Sequence, residues 1–140
     1  MSEQNATPEE DGEPKQEPGK PGSIGWRECM TPDPAAAITF YTELFGWTTE
    51  TMPMGDMEYT MLVNDGVPFA GVQGIPPEMG NAPPHWLEYV IVEDAKASES
   101  KILELGGQVL QPSMQIADKG IMVVLADPTG AVIALWQELS

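Results

Sequence analysis

The sequence predicts an α+β domain in which two βαβββ modules build one cupped, mixed sheet. Two observations point there. Residues 26–47, WRECMTPDPAAAITFYTELFGW, read as a strand, a capped helix and a glycine stop that leads into another strand. A later stretch, LEYVIVEDAKASESKILELGGQV, repeats the design. Shifting every position forward by 61 sets Asp33 on Asp94, Ala36 on Ala97, Glu43 on Glu104, Leu44 on Leu105 and Gly46 on Gly107. The matches include the cap and the stop, the residues that decide where a helix begins and ends.

In chain order, residues 1–22 stand apart from the domain, which is placed at 23–140. They hold four prolines, three glycines, six acids and two lysines, with Met1 and Ala6 as their apolar residues. Such a segment buries too little surface to offset its ordering entropy, so a mobile tail is expected. The first strand is placed at Ile24–Met30. Cys29 alternates with Glu28 along it and is expected to be packed rather than reactive. The helix at Pro34–Phe45 follows from Asp33, whose carboxylate can accept from the free amides of the first turn, and from proline at the first helical position. Ile38, Tyr41 and Phe45, with Phe40 and Leu44 beside them, give the apolar spacing of a helix face. Gly46 is the left-handed stop.

Strands are then expected at 47–52, 59–63 and 69–73, with Met52, Met54, Asp56 and Met57 on a loop and Asn64-Asp65-Gly66 as a hairpin turn. The linker is read at 75–84, IPPEMGNAPP, between a first module at 24–74 and a second at 85–138. The second module has a strand at 86–92, a helix at 95–105 ending at Gly107, and strands at 108–111, 120–125 and 131–137. The tight turn Asp127-Pro128-Thr129-Gly130 precedes the last. Each helix is expected to join neighbouring strands of its sheet and to cover one face, leaving the other free as a ligand surface.

Charge narrows the partners. The formal net charge is −16, and beyond the tail the cations are Arg27, Lys96, Lys101 and Lys119. Nucleic acid is not expected as a partner, because phosphate contacts need clustered Lys and Arg. The longest apolar runs, 121–126 and 131–136, are too short to cross a bilayer, and no basic-then-apolar leader opens the sequence. A cytoplasmic protein is expected.

The arrangement resembles the vicinal oxygen chelate superfamily, which includes glyoxalases, bleomycin-resistance proteins and extradiol dioxygenases. The residues that carry the resemblance are Asp33, Phe40-Tyr41, Phe45-Gly46-Trp47, Gly106-Gly107 and Asp127-Pro128-Thr129-Gly130. It implies the cupped fold over 24–138, a homodimer, and in catalytic members a divalent metal held by His and Glu from the first and last strand of each module. Counted from the caps, and for the last strand from Asp127-Pro128-Thr129-Gly130, those positions fall here on Trp26, Leu87 and Ala134, with no His, Asp or Glu in the 69–73 strand. Tryptophan, leucine and alanine offer a metal no lone pairs.

The leading expectation is therefore metal-independent binding of a small molecule, aromatic or cationic, with no cofactor. Its lining would be Trp26, Glu28, Tyr59, His85, Leu87, Tyr89, Ala134 and Trp136, with Met61 as a further candidate. Glu28 would be the principal charge inside, and Trp47 and Trp86 would lie outside. One alternative is a metal-dependent lyase, isomerase or dioxygenase using a shifted set, Glu28, His85 and Glu138, with Glu28 as the catalytic base. Another is a structural or interaction module whose cup is filled by its own side chains or by a partner subunit.

Overall fold

The computed structural model describes residues 20–77 and 81–139. Along the chain run β1 (Ile24–Met30), α1 (Pro34–Phe45), β2 (Thr48–Met54), β3 (Met57–Asn64) and β4 (Val67–Gln73). The second module follows with β5 (His85–Ile91), α2 (Ala95–Glu104), β6 (Gln108–Ile116), β7 (Gly120–Ala126) and β8 (Val132–Glu138). All eight strands join one curled sheet in the order β2-β3-β4-β1-β5-β8-β7-β6. Strands β1 and β5 pair antiparallel at the centre, and each pairs in parallel with the last strand of its own module. Residues 1–19 of the tail expected over 1–22, and linker residues 78–80, lie outside the described residues. Gly22 donates its amide to the Ile91 carbonyl, and Ile91 donates back to Ser23, so sheet bonding begins just ahead of β1.

The helices are built as their caps dictate. Asp33 accepts from the Ala36 amide at 3.1 Å and Asp94 from the Ala97 amide at 3.0 Å. Gly46, at φ 76°, closes α1 in the left-handed conformation. At the end of α2 the left-handed residue is Gly106, at φ 91°, not Gly107 as the repeat implies. Gly107 instead sits where a Cβ would come within 2.8 Å of the Ala126 carbonyl. The Asp127 turn is a carboxylate knot. Its Oδ1 accepts from the Thr129 hydroxyl and from the amides of Thr129 and Ala131, and these bonds hold its pKa below the usual carboxylate value.

Several expectations are corrected. Neither helix joins neighbouring strands: β1 is separated from β2 by β3 and β4, and β5 from β6 by β7 and β8. Strand β2 runs through Pro53 to Met54, and β6 runs through Pro112 to Ile116. Both are edge strands, where a missing backbone donor costs no ladder bond. Met52, Met54 and Met57 therefore belong to the β2–β3 hairpin rather than to a loop, and the turn is Gly55-Asp56. The Asp65-Gly66 turn has φ of 57° and 83°, the positive pair that a two-residue hairpin needs.

Alternation along the strands sorts the side chains into two faces. Under α1, Cys29, Leu62, Ala70 and Val72 pack with Ala37, Ile38, Tyr41 and Trp47. Under α2, Val123 and Leu135 pack with Ala95, Ile102 and Val109. Both helices lie on the same side of the sheet. Burying Leu62, Leu87 and Val123 completely contributes about 1.5–3 kcal/mol each. Among the described residues no helix is long and apolar enough to cross a membrane.

Candidate functional site

The helix-free face is where the two modules meet across β1 and β5. Its apolar floor is a cluster of Met30, Leu87, Tyr89, Val124 and Ala134, against which Trp26, Ile75, Met122 and Trp136 pack. The ring of Tyr89 meets Trp136 edge-on at 6.3 Å. A cavity of about 490 Å³ opens at the linker end, lined by residues such as Pro32, Ile75, Asn81 and Pro84.

Into this floor the sequence places a carboxylate. Glu28 is 6 % exposed and is, among the described residues, the buried charged side chain. Taking it out of water costs several kcal/mol unless donors replace the lost hydration. Three do. The Tyr89 hydroxyl donates to Oε1 at 2.7 Å, the Gln73 amide to Oε1 at 2.8 Å, and the Tyr59 hydroxyl to Oε2 at 2.5 Å. Hydrogen bonds to a charged acceptor contribute about 1.5–3 kcal/mol each, enough to offset the desolvation. The Tyr59 oxygen in turn accepts from the Trp26 indole at 2.9 Å. Burial first, and then the adjacent Glu28 charge, push both phenols well above the ordinary tyrosine pKa. All three donors are neutral, and among the described residues no cation is paired with the carboxylate. Arg27, next in sequence, points to the opposite face, where it donates to the Phe69 carbonyl at 2.9 Å and meets Glu88 at 3.4 Å.

Each strand places its member of this network by parity and register. Glu28 lies opposite Gly71 on β4 and Leu87 on β5. Gly71 itself pairs with Met61 on β3, two residues from Tyr59. A side chain at position 71 would occupy the space of the Tyr59 ring and hydroxyl, so the bare glycine is what lets Tyr59 reach across β4 to Glu28. Gly120 does the same beneath the Trp136 ring.

Of the residues the sequence singles out, Trp26, Glu28, Tyr59 and Tyr89 form one hydrogen-bonded chain, and Leu87, Ala134 and Trp136 lie in the same floor. Trp47 and Trp86 lie on the helix side, as parity requires. His85 stands at the end of β5, opposite Met30. Its Nδ1 is 2.7 Å from the Pro83 carbonyl, which can only accept, so that nitrogen carries the proton. The other, Nε2, is buried without a partner among the described residues. Gln73 and Gly71 are the residues sequence reasoning missed. A search for ionisable donors passes over an amide and a glycine, although both have the inward parity of β4.

The divalent metal that catalytic members hold does not fit the residues present. At the positions the family resemblance implies for its ligands stand Trp26, Leu87 and Ala134, which offer no lone pairs, and the Glu28 oxygens are turned to phenols and an amide. The shifted set does not assemble either. Glu138 is exposed at the end of β8, and among the described residues no three His, Cys, Asp or Glu side chains gather closely enough to hold a metal.

A curled sheet of paired βαβββ modules with its polar centre on the helix-free face defines a vicinal oxygen chelate protein, and the chain belongs to that superfamily. Within it, residues 27–136 match the glyoxalase-like domain family. The chain is 38% identical over 127 residues to "Putative glyoxylase CFP32" of Mycobacterium tuberculosis, an alignment that covers 89% of this chain and 49% of that protein. It is 33% identical over 131 residues to the anthracycline biosynthesis protein DnrV of Streptomyces peucetius, covering 84% of this chain and 48% of that protein. The chain thus spans about half the length of the curated relatives it matches. Solved structures share the fold, two of them as follows. Methylmalonyl-CoA epimerase from Mycobacterium tuberculosis has a TM-score of 0.57 at 15% identity, covering 85% of this chain and 89% of that one. A glyoxalase/bleomycin resistance protein/dioxygenase superfamily member from Vibrio splendidus has 0.54 at 17%, covering 80% and 96%.

Proposed function

We propose that this glyoxalase-like protein binds a small planar cation against the helix-free face, without a metal. The observation that carries the reading is Glu28, a carboxylate buried among neutral donors and, among the described residues, without a counter-ion. Such a group favours a ligand that brings positive charge or a strong donor, and the acidic chain adds a field of the same preference. The half-buried rings of Trp26, Tyr59 and Trp136 offer faces and edges for stacking. Two relatives are named for anthracycline biosynthesis, and anthracyclines are planar polycycles, a shape this wall of rings suits. With few, scattered cations on an acidic chain, nucleic acid is not its partner under this reading.

Calorimetric titration with proflavine, a planar aromatic cation, and with acridone, an uncharged ring system of similar outline, tests this. Proflavine binds once per chain and at least about tenfold tighter than acridone, and Glu28→Gln removes the difference. Equal affinities, or a preference that survives Glu28→Gln, overturn it. A second reading, an interaction module with a filled face, is favoured by one observation: Glu28 already accepts three bonds from its own chain. Under that reading neither compound binds.

A further inference from the structure

The chain has nine methionines, and every one among the described residues projects from the helix-free face. Met30 is part of its floor, Met122 packs against that floor, and Met114 lies directly opposite Met122. In the first module the register carries the same face outward. Glu28 is opposite Gly71, Gly71 opposite Met61, and Met61 opposite Glu50 on the edge strand. Along the β2–β3 hairpin Met52 is opposite Tyr59, and Met54 is opposite Met57 across the Gly55-Asp56 turn. Directly paired residues share a face, as do residues two apart, so these methionines stand beside the Tyr59 ring that reaches Glu28.

Packing alone does not require this sorting. Under the helices the clusters are built on Leu62, Ala70, Val72, Val123 and Leu135, with no methionine among the described residues. The hairpin repeats the contrast within itself. Its helix side carries Thr49, Thr51 and Thr60, β-branched residues that suit a strand, and its other side carries thioethers. Met57 is 60 % exposed, and Met52, Met54 and Met61 are half-buried. Methionine is unbranched, turns about three side-chain bonds and holds a polarisable sulfur that is attracted to aromatic rings. Such residues suit a surface that fits more than one ring outline.

We infer that the β2–β3 hairpin is the adaptable wall of the small-molecule site, and that Met52, Met54 and Met57 select its ligand class, planar aromatic cations of three or more fused rings. The inference rests on the reading that Glu28 attracts a planar cation, and it adds what the far end of that ligand meets. Paired strands lie about 4.8 Å apart, so β3 is roughly 10 Å and β2 roughly 14 Å from Glu28 along the sheet. A single ring held over Glu28 ends short of the hairpin. A fused tricycle lying across the strands passes Tyr59 and reaches the thioethers, each of which can turn its sulfur to the ring edge. Unbranched side chains re-seat for rings of different outline, so the wall admits a class of ring systems rather than one molecule. Glu50, opposite Met61, keeps the outer edge of the face acidic and extends the attraction for a cation along it.

Oxidation of the full chain by dilute hydrogen peroxide in the dark, read by peptide mass spectrometry, tests the inference with proflavine and with benzamidine, a one-ring cation. Saturating proflavine slows sulfoxide formation at Met52, Met54 and Met57 at least about fivefold, and saturating benzamidine leaves it at the rate of the free chain. A variant combining Met52→Ile, Met54→Ile and Met57→Ile keeps the strands, as circular dichroism checks, and stiffens the wall. It binds proflavine about tenfold or more weakly, while its benzamidine affinity stays within about twofold of wild type. Proflavine that binds once per chain yet leaves the three methionines oxidising at the free rate overturns the inference and leaves the Glu28 reading standing. So does a triple variant that binds proflavine as wild type does. Absence of proflavine binding to the wild-type chain overturns both.

Discussion

Gly71 leaves open the space that the Tyr59 hydroxyl fills, and through that gap Tyr59 donates to Glu28 at 2.5 Å. The missing side chain on one strand thus sets the reach of a phenol on the next. Gly71→Ala should displace Tyr59 and cost about 1–3 kcal/mol, through overpacking and a lost charge-assisted bond. The cycle with Tyr59→Ala checks the cause. In that background, with the ring gone, urea denaturation should show the Gly71→Ala cost largely abolished.

Removing the carboxylate strands three donors. Glu28→Ala leaves the hydroxyls of Tyr59 and Tyr89 and the Gln73 amide facing an apolar cluster, and should cost roughly 2–4 kcal/mol in thermal or urea unfolding. Glu28→Gln keeps the shape but puts an NH₂ where one phenol now donates. It should cost less than the alanine variant while still being measurable.

Both phenols have their pKa raised, by burial first and then by the Glu28 charge. A raised folded-state value means that the unfolded chain loses these protons first. The stability they confer is complete below about pH 10 and falls as pH rises beyond it. Alkaline titration should show the phenolate absorbance of Tyr59 and Tyr89 appearing together with loss of circular dichroism. Tyr59→Phe should reduce the amplitude of that linked step. Phenolate absorbance from these residues without unfolding would contradict the buried network.

The caps differ in their backup. Asp33→Ala should cost about 1 kcal/mol in thermal unfolding, as loss of a lone side-chain cap does. Asp94→Ala should cost less, because the Gln137 side chain, from β8, already accepts from the Ala95 amide at 2.9 Å.

Much of this fold is legible in local signals. Asp33 with Pro34 and Gly46 fix α1 to the residue, because capping chemistry acts within a few positions of itself. Strand ends were less legible at Pro53 and Pro112, since proline ends a central strand but not an edge strand, and which strands lie at the edge is a tertiary fact. Parity along β1 and β5 points Trp26, Glu28, Leu87 and Tyr89 to one face. That Gln73 and Tyr59 converge on Glu28 depends on the parallel register of β1 with β4 and on the gap at Gly71, neither of which one strand's own pattern encodes. The α1 face was misjudged for a related reason. Its spacing marks Phe40, Leu44 and Phe45 as apolar, but the sheet beneath accommodates only Ala37, Ile38 and Tyr41.

The central claim is that the middle of the helix-free face is a carboxylate committed to phenols and an amide, where catalytic relatives of this superfamily hold a metal. It is tested most directly by incubating the purified chain with excess nickel, zinc, manganese or iron(II), removing unbound ion by gel filtration, and measuring metal per chain by elemental analysis. The account predicts far less than one ion per chain, with Glu28→Gln indistinguishable from wild type. One ion per chain, lost in Glu28→Gln or Gln73→Ala, would contradict it.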